Sequence, residues 1–247
     1  MSAVEVSGLS LVYRLSRHRV GTAKEHLFQA LRRQVEYEPL WALREVSFAV
    51  EPGRVLAIVG PNGAGKTTLL KVITRVLPPT TGRVVVRGRV APMIELGGGF
   101  DADLTGSENL VLYGAMLGHD PRALRREASA VAEWAELEDF MDVPLRSYSS
   151  GMLARLGFAV ATLVQPDVLV VDEVLAVGDE SFQRRSQERI AELLSHGTAV
   201  VLVSHALDTV RAYADEALWL DRGRVMGLGD PDEIVDRYVD SVALAVA

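Results

Sequence analysis

The run Gly60-Pro61-Asn62-Gly63-Ala64-Gly65-Lys66-Thr67 constrains this chain more than any other. It follows an apolar stretch, Val55–Val59, and opens a helix-like run, Lys66–Leu77, that Pro78-Pro79 closes. It fits G-x-x-x-x-G-K-[ST] in the strand-loop-helix setting that motif needs. Glycines let backbone N–H groups converge on phosphate oxygens without a Cβ in the way, and a helix N-terminus adds its positive dipole end. Gly60, Pro61, Asn62, Gly63, Ala64, Gly65 and Lys66, with Thr67 and Thr68, form the expected phosphate-binding set. Lys66 is expected at the β/γ-phosphates and the Thr67 hydroxyl on Mg²⁺. The bland alternative is an ordinary glycine-rich turn.

Around this run, strand-like and helix-like segments alternate, as in a largely parallel α/β sheet. Val55–Val59, Val168–Val171 and Ala199–Val203 are continuously apolar and read as strands buried on both faces. Leu9–Leu15 and Val46–Val50 read as a half-exposed antiparallel layer, and Trp219–Val225 as a hairpin turning near Arg222-Gly223. From Leu104 to Gly157 the strand runs stop. Glu108–Leu117 and Arg122–Glu136 have helical spacing, which predicts a helical lobe over 104–157 inserted between core segments 1–103 and 158–247. Pro231–Val242 reads as a closing helix.

Two strand ends carry polar chemistry. Val168–Val171 runs into Asp172-Glu173, and Ala199–Val203 into Ser204-His205. Beside a phosphate loop, Asp172 suits Mg²⁺ through water, Glu173 suits activation of an attacking water, and His205 can bond a γ-phosphate. An exposed acidic turn and a structural histidine are the bland alternatives. His18, His26, His119 and His196 read as structural or exposed.

The 247 residues are 49% hydrophobic and 24% charged, with no apolar run near the ~18–20 residues of a membrane span. The N-terminus lacks a basic-then-apolar secretory pattern. With no cysteine, disulfides and thiolate metal sites are excluded; a net charge of −7 argues against a general nucleic-acid binder. Arg14, Arg17, Arg19, Lys24, Arg32 and Arg33 nonetheless cluster, opposed only by Glu25, beside an apolar stripe of Leu27, Leu31 and Val35 with Phe28. This segment reads as a short amphipathic helix, either docked on its own domain or lying beside anionic headgroups or a membrane partner.

With Tyr148-Ser149-Ser150-Gly151-Met152 added, the set resembles the nucleotide-binding subunits of ATP-binding cassette transporters over nearly the whole chain. That run is similar to the family's L-S-G-G-Q signature, with Tyr, Ser and Met replacing Leu, Gly and Gln, and with Ser149 and Gly151 kept. From the residues alone it is a helix N-cap. The resemblance implies a P-loop NTPase (RecA-like) α/β core with an antiparallel β layer and an inserted α-helical lobe. It also implies an ATPase that works as a head-to-tail dimer, Ser149 and Gly151 covering the γ-phosphate on the other copy. Asp179 falls at the inter-subunit aspartate. Tyr13 falls where an aromatic ring stacks on adenine, or is a plain strand-face tyrosine. Glu95 occupies the place of a glutamine that touches Mg²⁺ and the attacking water.

Three runs narrow the resemblance: Glu95–Phe100 with Leu104–Asn109, Tyr148–Met152, and Asp172–Asp179 with Val174 where most cassettes have proline. Together with the stretch Arg17–Leu40, they are similar to exporters of lipid-linked O-antigen, teichoic acid or capsule. The implied partners are an integral membrane permease, a second copy of the chain, and a lipid-linked glycan reached through the permease, with no nucleic acid. The implied location is the cytoplasmic face of the bacterial inner membrane. No C-terminal glycan-binding domain is expected. A drug or lipid exporter and a soluble mechanical ATPase are the alternatives.

Overall fold

The computed structural model describes residues 1–16, 37–93, 99–163, 165–172 and 180–246. The stretch Arg17–Leu40 therefore falls largely outside the described residues, as do His18, His26, Glu95, Glu173 and Asp179.

Two sheets face each other across the main core. Strands β1 (Val4–Ser16), β2 (Tyr37–Val50) and β4 (Thr81–Val86) form an antiparallel layer in the order β2-β1-β4. The second sheet has the order β5-β6-β7-β3-β8-β9, from β5 (Val90–Met93), β6 (Val168–Asp172), β7 (Ala199–Val203), β3 (Val55–Val59), β8 (Glu216–Asp221) and β9 (Arg224–Gly229). All of its pairings are parallel except the β8–β9 hairpin, whose turn is Arg222-Gly223. The antiparallel layer expected from 9–15 and 46–50 is present, longer at both strands and joined by β4. β4 and β5 had no clear signal. β5 is short and holds Pro92, which cannot donate to a ladder and is tolerated because β5 is the sheet's edge.

The apolar strands are read correctly as buried on both faces. Leu56 and Ile58 of β3, Val168 and Val170 of β6, and Val201 and Val203 of β7 pack toward the antiparallel layer and helix α1 (Lys66–Ile73). Their alternates Val55, Leu169, Val171, Val200 and Leu202 pack with Phe158 and Phe182 on the opposite face. Helices α6 (Leu207–Tyr213) and α7 (Pro231–Val246) cover Ala57 and Val59. α1 ends four residues before its expected limit. Thr74 Oγ1 donates to Leu70 O at 2.9 Å, and Arg75 turns left-handed at φ 62°, so the chain leaves the helix before the prolines.

Helices α2 (Gly106–Met116), α3 (Pro121–Ala135) and α4 (Ser150–Leu163) build a second cluster around Leu110, Leu124, Leu137 and Leu156. α2 starts with a capping box: Thr105 Oγ1 accepts from Glu108 N while the Glu108 carboxylate accepts from Thr105 N. The expected lobe boundary after Gly157 falls inside α4. That helix is shared, with Leu156 and Val160 in the lobe cluster and Phe158 and Ala161 on the sheet. Helix α5 (Glu180–Ser195) packs along α4 and the sheet.

Candidate active site

The parallel strands β3, β6 and β7 end on the same side, so Gly60–Thr67, Asp172 and His205 converge there, where α/β sheets place ligand chemistry. The loop's shape needs glycine at two points. Gly60 has φ 147°, and a Cβ there would lie 2.0 Å from Leu220 O; Gly65 has φ 107°, and its Cβ would lie 2.5 Å from Ala42 O. The loop is braced from behind: Gly223 N donates to Ala64 O at 2.8 Å, and Arg44 N to Gly223 O at 2.7 Å. α1 begins without a side-chain cap and without an acidic residue in its first turn. Its leading N–H groups thus point toward the cavity with no competing carboxylate, the arrangement an anion requires.

A cavity of about 320 Å³ opens over this helix end, lined by the loop from Asn62 to Thr68, by Tyr13, by Leu40, Trp41 and Ala42, and by His205. Lys66 is buried, and its Nζ donates to Gly60 O at 2.7 Å and Pro61 O at 3.1 Å. A buried ammonium needs acceptors, and the loop's own carbonyls supply them. Thr67 Oγ1 donates to Asp172 Oδ2 at 3.3 Å. A hydroxyl and a carboxylate converging beside a phosphate cradle are hard oxygen donors that fit Mg²⁺, which keeps waters and substrate oxygens in its remaining positions. Among the described residues no group of three or more His, Cys, Asp or Glu could hold a metal ion.

His205 is exposed, following β7 through a turn in which Ser204 Oγ accepts from Ala206 N at 3.1 Å. His196 is exposed and His119 half-buried, both away from the cavity lining. Glu173, Asp179 and Glu95 lie outside the described residues. Trp41 is a cavity residue that the sequence did not single out. It pairs with Val12 beside Tyr13 and carries the Arg44 guanidinium 5.4 Å over its ring. A tryptophan in a strand reads as core; only the β1–β2 register, with its bulges, brings it to the rim.

Ser149 and Gly151 do not line this cavity. They start α4 in the lobe, where the exposed Ser149 caps the helix by accepting from Met152 N at 3.2 Å. Tyr148, standing where the family's signature has leucine, is buried in the lobe core, and its hydroxyl donates to Phe140 O at 2.7 Å. Burial, and secondarily the Asp142 charge, push its pKa up, so it stays a neutral donor. Tyr113 joins lobe to sheet by donating to Pro92 O at 2.9 Å, and burial pushes its pKa up to about 12.

The family model described as "ABC transporter" matches residues 43–176. The chain is 38% identical over 242 residues to the O-antigen export system ATP-binding protein RfbB of Klebsiella pneumoniae, covering 97% of this chain and 98% of that protein. It is 42% identical over 206 residues to the RfbB of Myxococcus xanthus, covering 83% of this chain and 47% of that longer relative. The dimeric post-hydrolysis state of the ATP-binding cassette MJ0796, bound to ADP and Pi, shares the fold at 20% identity. Its TM-score is 0.74, over 92% of this chain and 98% of that one. The phosphate cradle, the strand-end acid and histidine, and an end-to-end relative converge on one conclusion: the chain belongs to the ABC transporter family, as one of its ATP-binding, ATP-hydrolysing subunits.

Proposed function

We propose that this subunit powers the export of a lipid-linked polysaccharide of the O-antigen class. The single observation that carries this reading is the match along almost the full length of both chains to an O-antigen export ATP-binding protein. Among the described residues no helix is long and apolar enough to cross a membrane, so translocation calls for an integral membrane permease as partner. That pairing puts the subunit at the cytoplasmic face of the bacterial inner membrane, with the glycan reached through the permease. Nucleic acid has no part in it, in keeping with the net charge of −7.

In this reading two copies close head to tail over two ATP molecules. Tyr13 stacks on the base. Lys66, the loop amides from Gly60 to Thr68 and the α1 N-terminus hold the phosphates. Thr67 and Asp172, with Glu95 at the place of the family's usual glutamine, would hold Mg²⁺, which would supply neutralisation of the phosphate charge. Glu173 orients the attacking water and accepts its proton, and His205 bonds the γ-phosphate. Ser149 and Gly151 reach the phosphate on the second copy, whose own pair returns the contact, and Asp179 contributes to the seam. The absence of Ser149 and Gly151 from the cavity lining supports this cross-subunit arrangement, and the dimeric MJ0796 neighbour shares the fold it needs.

The test is the purified complex with its permease in lipid. ATP turnover stimulated by a lipid-linked O-antigen chain, and lost surface polysaccharide in cells lacking the subunit, are expected. Turnover indifferent to both permease and glycan lipid overturns the export reading.

A further inference from the structure

Glu136 ends helix α3 in the left-handed region, at φ 56° and ψ 47°, where glycine or asparagine is the ordinary choice. An L residue held there at a cost points to a use for its side chain. The use is visible. Glu136 Oε2 accepts from Arg155 Nη1 at 2.5 Å, and Oε1 accepts from Arg185 Nη1 at 2.5 Å. Arg155 lies one turn beyond Gly151 in α4, the helix that the signature run opens, and Arg185 lies in α5, the helix that follows the Asp172-Glu173 strand end in the chain.

Aromatic rings fill the space around this joint. Trp134 stacks on Phe158 with ring centroids 5.3 Å apart, and Phe182 meets both rings edge-on. The Arg155 guanidinium lies 5.2 Å over Phe182 and the Arg185 guanidinium 5.4 Å over Trp134. One turn farther along α5, Arg189 Nη2 donates to Thr162 O at 2.6 Å, tying the C-terminal end of α4 to the middle of α5. Planar guanidiniums that each lie over a ring and are pinned by one shared carboxylate have little freedom to swing. The carboxylate itself is half-exposed, so the pairs add little to stability. Their effect is orientational.

We infer that Glu136 is a positioning residue: by gripping Arg155 and Arg185 together it sets the angle between α4 and α5, and so the pose in which Ser149 and Gly151 are offered to the second copy's ATP. The inference rests on the cross-subunit role proposed above for those two residues. Loosening the grip leaves each subunit's own nucleotide pocket intact, because none of Glu136, Arg155 and Arg185 lines it. What suffers is closure of the pair and the step that depends on closure.

The full chain carrying Glu136→Gly or Glu136→Gln tests this. Glycine removes the carboxylate and relieves the left-handed backbone, so its thermal midpoint should equal or exceed that of the parent. ATP affinity of the separate subunit, by calorimetry with the magnesium complex of a non-hydrolysable ATP analogue, should stay within about twofold, while kcat and analogue-driven dimerisation by ultracentrifugation fall about tenfold. Adding Arg185→Gln to Glu136→Gln should cost much less than Arg185→Gln alone, since Glu136→Gln has already broken the Arg185 ion pair and only the Arg185–Trp134 contact remains to be lost. Unchanged kcat and dimerisation in both variants overturn the inference, as do additive losses in the double variant or a parallel fall in affinity and thermal midpoint. A parent chain that does not dimerise with the analogue overturns the cross-subunit reading itself, and this inference with it.

Discussion

Lys66 shows how one side chain serves both the fold and the ligand. Its buried ammonium is satisfied by the carbonyls of Gly60 and Pro61, which also holds the curvature of the loop proposed to receive the phosphates. Lys66→Ala removes two charge-assisted bonds and the nearest cation. Affinity for MgATP should drop by about 3 kcal/mol, roughly a hundredfold, in a calorimetric titration, with ATP turnover lost. His119 offers a prediction away from the site. Burial first, and the nearby Arg89 charge second, hold its pKa below the ordinary 6.5, so the folded state favours the neutral ring. Its stabilising contribution is complete above 6.5 and is lost as the pH falls below that value. Thermal midpoints of His119→Gln should therefore decline less steeply than the parent's as the pH is lowered from about 6.5 to 5.

Between elements, one fully buried asparagine ties the approach to the lobe. Asn109 Oδ1 accepts from Asp101 N at 2.7 Å, and its Nδ2 donates to the carbonyls of Asp101, Leu104 and Thr105 at 2.8, 3.0 and 3.0 Å. No apolar residue can replace that set without leaving backbone groups unpaired in the interior. Asn109→Ala should lower stability by about 3 kcal/mol, measured by urea unfolding. The helix carrying it was legible from the helical spacing of Glu108–Leu117, and the structure adds the Thr105–Glu108 capping box at its start. The role of Asn109 was not, because its partners lie in an irregular stretch held by bonds to residues some forty positions on, Arg146 N to Ala102 O at 2.9 Å and Leu145 N to Leu104 O at 3.0 Å.

For the whole molecule, the separation of Ser149 from its own cavity makes a pairwise prediction. In the proposed head-to-tail arrangement, heterodimers of a Lys66→Ala chain and a Ser149→Ala chain hold one composite site lacking both groups and one intact. They should retain roughly half the parent's turnover if the two sites act independently, while each homodimer is inactive, as head-to-tail symmetry dictates. Measured ATPase of isolated heterodimers decides this. A Ser149→Ala homodimer at full activity would remove Ser149 from the shared site.

The local sequence determined the phosphate loop, the three strands buried on both faces, the acid and histidine at their ends and the helical character of the lobe. Each depends on neighbours within a few positions: glycines where φ must be positive, unbroken apolar runs where both faces are covered, helical spacing of apolar residues in the lobe. Tertiary structure alone decided that Trp41 reaches the cavity rim, that β5 is an edge able to hold Pro92, that α4 belongs to both lobe and sheet, and that Glu136 joins two helices. These follow from strand register and helix packing between segments far apart in the chain, where no local pattern records which surfaces will meet.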